Sequence, residues 1–202
     1  MNLAIFLVAQ AIGSLAEPAN VVVRHIGSAV TDRSNIGPLQ AGILCVPNGS
    51  VRWSDGYTAG LDRVVRATLA DTGVNVKGAL EERFGLAEPS GDYYVVATIT
   101  EIRVNICYTQ PGFGLSRFGI DTSNPNAIKA SGSMSVEWAV YNSATHTETK
   151  RTTSFAISER QKIRTGLHGF VDLLMAGNSH ALGEAALFQA PRPSATAIQP
   201  PR

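Results

Sequence analysis

Two long runs of alternating side chains are the feature that most constrains the fold of this chain. The clearer run lies in residues 133–158, SMSVEWAVYNSATHTETKRTTSFAIS. Its first half places a bulky apolar residue at every second position: Met134, Val136, Trp138 and Val140. Successive side chains of a β-strand point to opposite faces of the sheet, so this run predicts a strand with one buried face. Asn142 begins a polar turn, and the residues after it predict a return strand and therefore a hairpin.

The other run, YYVVATITEIRVNICY at residues 93–108, is the longest strand signal in the chain, and its period shifts partway. The apolar positions of one face come first and those of the other face follow: Tyr93, Val95, Ala97 and Ile99, then Ile102, Val104 and Ile106. Such a change of phase predicts a bulge near Thr100 and Glu101, or a strand covered on both faces at its start.

Two segments have the spacing of amphipathic helices. YTAGLDRVVRATLADTG at residues 57–73 ends at Gly73, a natural left-handed stop. TGLHGFVDLLMAGNSHALGEAALFQA at residues 165–190 carries a broad apolar stripe, and Gly177-Asn178 and Gly183 predict a kink or a break in it. Both helices are expected to cover the sheet.

The amino-terminal third gives weaker signals. NVVVRHIG at residues 20–27 predicts a first strand or an edge strand, and residues 31–42 have loop composition. AGILCV predicts a short buried strand that stops at Pro47. Long strands adjacent in sequence favour antiparallel pairing, so the fold class predicted is a single α+β domain with a mostly antiparallel sheet packed by two main helices.

The sequences at the two ends of the chain predict an exported domain over residues 17–190. Residues 1–16 have the apolar core and small-residue cleavage site of a secretory signal peptide, although no Lys or Arg precedes the core. No cysteine directly follows that run, so we expect no attachment point for a lipoprotein anchor. Residues 191–202, PRPSATAIQPPR, predict a flexible Pro-rich tail. We therefore expect a periplasmic or secreted protein.

Cysteine content fits that compartment. The two cysteines, Cys45 and Cys107, each lie in an apolar, strand-like segment. In an exported chain such a pair predicts a disulfide bond, which stabilises by roughly 4 kcal/mol when it closes a loop of about 60 residues. Two separate buried thiols are the alternative. Two cysteines alone do not make a metal site.

Charge and motif content argue against several function classes. Seventeen basic and sixteen acidic residues give a net charge of +1, which does not provide the basic field that nucleic acids require. GLSRFG, around Ser116, resembles a nucleophile elbow, but Phe118 occupies the place of its second glycine. The four histidines have no metal-binding spacing. We expect no enzymatic activity, no cofactor and no metal, and we interpret Glu101 and Glu137 as partners of Arg103 and Lys150.

The segment between the two best strands is the strongest functional signal. Residues 110–126, QPGFGLSRFGIDTSNPN, form a long connection that is apolar and jointed by glycines. Such loops bind partners or fold back over their own sheet. The residues we expect at a partner contact are Tyr108, Phe113, Arg117 and Phe118.

Taken in order, four stretches resemble the TolB amino-terminal domain and the curli-assembly lipoproteins of bacterial envelopes. They are AGILCVPN, GLDRVVRATLADTGVNV, GDYYVVATITEIRVNICY and GSMSVEWAVYNSATHTETKRTTSFAIS. In that group a Trp-x-Val-Tyr-like strand precedes a polar turn, as Trp138, Val140 and Tyr141 do here. The resemblance implies a periplasmic adaptor or assembly factor without catalysis. The absent lipid-bearing cysteine puts membrane anchoring in doubt.

The function expected is therefore binding of another cell-envelope protein, through the sheet and the long loop. Any membrane contact would come through that partner, and the oligomeric state stays open. The alternative is a periplasmic module that binds a small ligand or a polysaccharide and uses Trp53, Tyr57 and Tyr108 as stacking platforms.

Overall fold

A computed structural model describes residues 18–42, 44–77, 90–108, 128–185 and 187–188 of this chain. The elements follow one another as β1 (Asn20–Ser28), β2 (Asn35–Ala41), β3 (Val46–Arg52), a 3-10 helix (Asp55–Thr58), α1 (Leu61–Asp71), β4 (Asn75–Lys77), β5 (Tyr93–Tyr108), β6 (Ile128–Asn142), β7 (Thr147–Ile163) and α2 (Gly166–Gly183). The predicted signal peptide and Pro-rich tail lie outside the described residues. No helix within those ranges combines the length and the apolar character needed to cross a bilayer.

The described strands form one mixed sheet around β5. β6 pairs with β5 in antiparallel fashion along its whole length, and β7 continues the sheet beyond β6. On the other side of β5, β1 pairs with its first half and β2 with its last residues, both in parallel. β4 then pairs with β1, and β3 pairs with β2, so that each extends the sheet by one more strand. The single α+β domain with two helices is confirmed, but the mostly antiparallel sheet is wrong, because α1 lies in the connection between β1 and β5 and lets these strands run parallel.

The phase change of β5 is a β-bulge. The register between β5 and β6 shifts between Ile99 and Glu101. The extra residue returns the later apolar positions to the same face as the earlier ones, where Ile99 and Ile102 pack into one core. On β6 the predicted alternation is confirmed, and Trp138 lies fully buried.

The amino-terminal third departs from expectation in three places. Residues 31–42 are not all loop, because β2 occupies Asn35–Ala41 and is held by β3 and by β5. The predicted buried strand AGILCV is wrong: the chain turns there, and β3 begins only at Val46 and continues through Pro47. Among the described strands β3 pairs with β2 alone, and an edge strand tolerates proline. β1 is an inner strand between β4 and β5.

Both helices cover one face of the sheet. α1 buries Leu61, Val65 and Leu69, and Gly73 adopts a left-handed φ of 90° just after it. α2 continues without a break through Gly177. The ring of Phe155 packs against the helix backbone there, and a side chain at this position would overlap with it. The helix ends at Gly183.

Candidate functional site

The two cysteines form the predicted disulfide bond. Cys45 and Cys107 are joined with an S–S distance of 2.07 Å and a Cα–Cα distance of 5.4 Å. Cys107 is fully buried near the carboxyl end of β5, and Cys45 lies in the turn between β2 and β3. The bond therefore fastens that turn to the central strand. We call this region, made of Gly42, residues 44–46 and residues 107–108, the disulfide end.

The turn at the disulfide end presents apolar side chains to water. Gly42 donates its backbone N–H to the Tyr108 carbonyl at 2.9 Å, and Cys45 donates its own to the Gly42 carbonyl at 3.2 Å. Gly42 and Cys45 both adopt left-handed conformations, with φ of 80° and 51°. Leu44 is consequently 86% exposed and Val46 58% exposed. Apolar side chains exposed next to one another, as distinct from single scattered ones, are typical of contact surfaces.

Of the four predicted contact residues, one lies in the described part of the chain. Tyr108 is half-buried, ends β5, and pairs with Ala41 on one side and Ile128 on the other. The other three, Phe113, Arg117 and Phe118, lie in residues 109–127, outside the described ranges. Because residues 108 and 128 pair, the chain leaves the described sheet and rejoins it at the disulfide end.

On the helix face, an aromatic cluster adjoins Tyr108. The Tyr57 ring lies 5.5 Å from the Trp53 ring and 4.8 Å from that of His168, measured between centroids. Trp53 is only 1% exposed, so its predicted role as a stacking platform is wrong. Its bulk fills the core instead, and its indole N–H has no hydrogen-bond partner among the described residues.

Burial affects one ionisable group of this cluster, Tyr57, and one that interacts with its His168, Asp172. It raises the pKa of the Tyr57 hydroxyl, and the neighbouring Tyr108 raises it further. Burial also raises the pKa of the Asp172 carboxyl, while His168 partly offsets that effect. Tyr57 is therefore neutral at physiological pH and available as a hydrogen-bond donor. The cluster offers polar tips on an apolar base, an arrangement that suits binding.

The other candidate groups do not gather into a reactive site in the described part of the chain. The carboxylate of Glu101 lies 2.6 Å from Nε of Arg103, and that of Glu137 lies 3.6 Å from Nζ of Lys150. Both are the exposed strand pairs that the sequence predicted. In the described ranges, no group of three or more His, Cys, Asp or Glu residues is placed to hold a metal ion. Ser116 lies outside those ranges.

Comparison with known proteins finds only distant likenesses. No family model matches the chain, and no curated protein matches it. An uncharacterized protein of known structure is 14% identical, with a TM-score of 0.43, over 83% of this chain and 98% of its own. A Xanthomonas campestris protein of the family model DUF330 is 10% identical, with a TM-score of 0.41, over 83% and 81%. The dodecamer of a PelC variant from Paraburkholderia phytofirmans is 11% identical, with a TM-score of 0.38, over 82% and 87%.

At these identities and TM-scores, the structural similarities do not indicate what this chain does. The resemblance to the TolB amino-terminal domain and the curli-assembly lipoproteins stays a prediction.

Proposed function

We propose that this chain is an exported, non-enzymatic adaptor or assembly factor that binds another cell-envelope protein through the disulfide end of its sheet. The observation that carries the proposal is Leu44, 86% exposed on a turn fastened by the Cys45–Cys107 disulfide. Burying such a side chain against a partner contributes about 1.5–3 kcal/mol. A turn that is already held in place loses little conformational entropy on binding, so most of that gain is retained.

The compartment in this proposal is supported by the disulfide. Disulfide bonds form and persist in oxidising environments such as the periplasm and the cell exterior. The apolar run of residues 1–16 agrees with export, since it has the composition of a signal peptide.

The proposed contact surface also includes Tyr108 and residues 109–127, whose flanking residues Tyr108 and Ile128 pair at this end of the sheet. Phe113, Arg117 and Phe118 belong to that segment, and aromatic residues and arginine are enriched among the residues that dominate binding energy. Contact with a membrane, in this proposal, is made by the partner.

A photo-crosslinking residue at position 44 tests the proposal directly. In the native envelope, we expect it to give one discrete adduct with another protein, because Leu44 lies inside the proposed contact. The matched control is the same residue at Thr145, exposed in the β6–β7 turn at the opposite end of the sheet. No adduct from position 44, or the same adducts from both positions, would contradict the proposal.

The adduct then provides the partner for an affinity measurement. We expect Leu44→Ser to weaken binding of the purified partner by about tenfold or more, equivalent to roughly 1.4 kcal/mol. Tyr141→Ser, which changes a side chain 36% exposed away from the disulfide end, should leave the affinity unchanged. Alanine at Phe113 and Phe118 tests the contribution of the connecting segment in the same assay, with the melting temperature as the check on folding.

A further inference from the structure

Asn48 and Gly49 form a pair with a reactivity of its own. Asn48 is the only asparagine of the sequence that precedes a glycine. The backbone nitrogen of the residue after an asparagine can attack the side-chain amide carbon, because the bond that forms closes a five-membered ring. Glycine has no side chain to screen that nitrogen. The fold determines whether the reaction is open to the native protein.

Asn48 lies at a break in the pairing of an edge strand. In the described part of the sheet β3 pairs with β2 alone, and Asn48 is exposed. Leu39 pairs with Gly49 and Gln40 pairs with Pro47, so Asn48 has no partner residue across the two strands. An extra residue of this kind is a β-bulge and is left out of the ladder. Neither packing nor strand pairing therefore fixes the Asn48 side chain.

The backbone at Gly49 gives access to the attacking nitrogen. Gly49 has a φ of 126°, and apart from its chain neighbours no atom lies within 4 Å of the place where a side chain would be. For the attack, the Gly49 nitrogen must turn away from its pairing with Leu39. Strand pairing at an edge opens locally at a lower free energy than global unfolding. The reactive geometry can therefore be reached in the folded protein.

Other asparagines are held by hydrogen bonds. The Oδ1 atom of Asn142 accepts hydrogen bonds from the backbone N–H groups of Ala144 and Thr145, at 2.9 and 3.1 Å. Asn178 is fully buried, and its amide donates two hydrogen bonds to backbone carbonyls. Among the described residues the Asn48 side chain makes no hydrogen bond. Asn142 and Asn178 are both followed by serine, a small residue, so they serve as comparators for Asn48.

We propose that Asn48 is a site of spontaneous deamidation in the folded protein, with water as the co-reactant. The Gly49 nitrogen forms a bond to Cγ of Asn48, and the bond between Cγ and Nδ2 breaks. The proton of the Gly49 N–H leaves with Nδ2 as ammonia, and a succinimide ring remains. Water then opens the ring at either carbonyl, adding its OH to the carbon and its proton to the ring nitrogen. Opening at Cγ gives aspartate, and opening at the backbone carbonyl gives isoaspartate.

Both products change the edge of the sheet beside the disulfide end. Each carries a carboxylate in place of a neutral amide, so the net charge of the chain falls by one. Isoaspartate also routes the backbone through its side-chain carbons, which lengthens β3 by one atom at the bulge. Asn48 is four residues from Leu44 and two from Val46, so the new charge arises close in sequence to the exposed apolar side chains. Any effect on a partner rests on the proposed function, whereas the conversion itself does not.

Peptide mapping of the disulfide-bonded protein, kept at neutral pH and physiological temperature for several weeks, tests the proposal. We expect two peptides of equal mass and different retention to replace the peptide that contains Asn48. Each should be heavier than the original by the exchange of NH2 for OH. Peptides that contain Asn142 and Asn178 should stay unchanged. The variant Asn48→Asp gives the retention of the aspartate product, so the other new peptide is identified as isoaspartate.

Two variants separate ring closure from other chemistry. Asn48→Gln keeps an exposed amide but lengthens the side chain, so the five-membered ring cannot close and both products should be absent. Gly49→Ala screens the attacking nitrogen. It should slow the conversion by about tenfold or more, equivalent to a barrier higher by roughly 1.4 kcal/mol.

The same protein unfolded in urea gives the rate without the fold. We expect Asn48 in the folded protein to convert within about a hundredfold of that rate, equivalent to an opening free energy of at most roughly 2.7 kcal/mol. A slower conversion would overturn the proposal, because the edge pairing would then protect Asn48. Aspartate without isoaspartate would overturn it as well, since direct hydrolysis of the amide gives that product alone.

Discussion

At the scale of single residues, Asn178 determines how α2 sits on the sheet. Its buried carbonyl oxygen accepts a hydrogen bond from the Thr153 hydroxyl at 2.7 Å, and that hydroxyl accepts one from the Trp138 indole N–H at 2.8 Å. Asn178→Ala leaves the Thr153 hydroxyl without its acceptor and opens a cavity. We expect the free energy of unfolding to fall by about 2–4 kcal/mol in urea denaturation. Asn48→Ala, at an exposed position, should change it by less than about 0.5 kcal/mol.

The same residues allow a test of the network itself. Thr153→Val removes the hydroxyl that links Asn178 to Trp138. If Trp138, Thr153 and Asn178 act as one network, the two substitutions are not additive. The double variant Thr153→Val/Asn178→Ala should then lose about 1 kcal/mol less free energy of unfolding than the sum of the two single losses. Strict additivity would show that Asn178 acts through packing alone.

At the scale of elements, the strands that the sequence predicted well are those whose own alternation is long. β5 and β6 each repeat their pattern over many residues, so one buried face is enough to identify them. β7, which is mostly exposed, was predicted as the return strand of the hairpin. β2 and β3 were missed because Asn35, Gly37, Pro38 and Pro47 are residues typical of loops. β2 forms through pairing with the distant end of β5, and β3 forms through pairing with β2; no local pattern indicates either.

Some features of the candidate site could likewise be predicted from local sequence, and others could not. The disulfide and the position of Tyr108 followed from cysteines and a strand that could be recognised locally. The exposure of Leu44 could not be predicted, because an apolar run between a glycine and a proline has the composition of a buried strand. Only the hairpin of β2 and β3 turns that side chain outward.

Gly37 is the residue on which the packing of β2 against β5 depends. A side chain there would overlap with the Val104 carbonyl, and its φ is 153°. Gly49 on β3 also has a positive φ, 126°, but nothing lies within 4 Å of the place of its side chain. We expect Gly37→Ala to lower the free energy of unfolding by about 2–4 kcal/mol and Gly49→Ala by about 1 kcal/mol. Equal losses in urea denaturation would mean that backbone strain, and not the contact with Val104, sets the cost.

At the scale of the whole molecule, the disulfide joins stability to the proposed binding surface. Cys45 and Cys107 are 62 positions apart, and a bridge over such a loop stabilises by about 4 kcal/mol through restriction of the unfolded chain. The double variant Cys45→Ala/Cys107→Ala should therefore lose about that much stability in urea. At temperatures where it remains folded, it should also give less adduct from a crosslinker at position 44, because the turn is no longer fastened to β5.

The fold of the double cysteine variant is the control for that experiment. Since the pairing of β5 with β6 and of β6 with β7 does not involve the bridge, the double cysteine variant should keep the circular dichroism spectrum of the folded protein while its crosslinking falls. Unchanged crosslinking in the folded variant would mean that the Gly42–Tyr108 hydrogen bond and the pairing of β2 with β3 hold the turn without the disulfide. Loss of both the adduct and the circular dichroism signal together would mean that the bridge supports the whole sheet and not the turn alone.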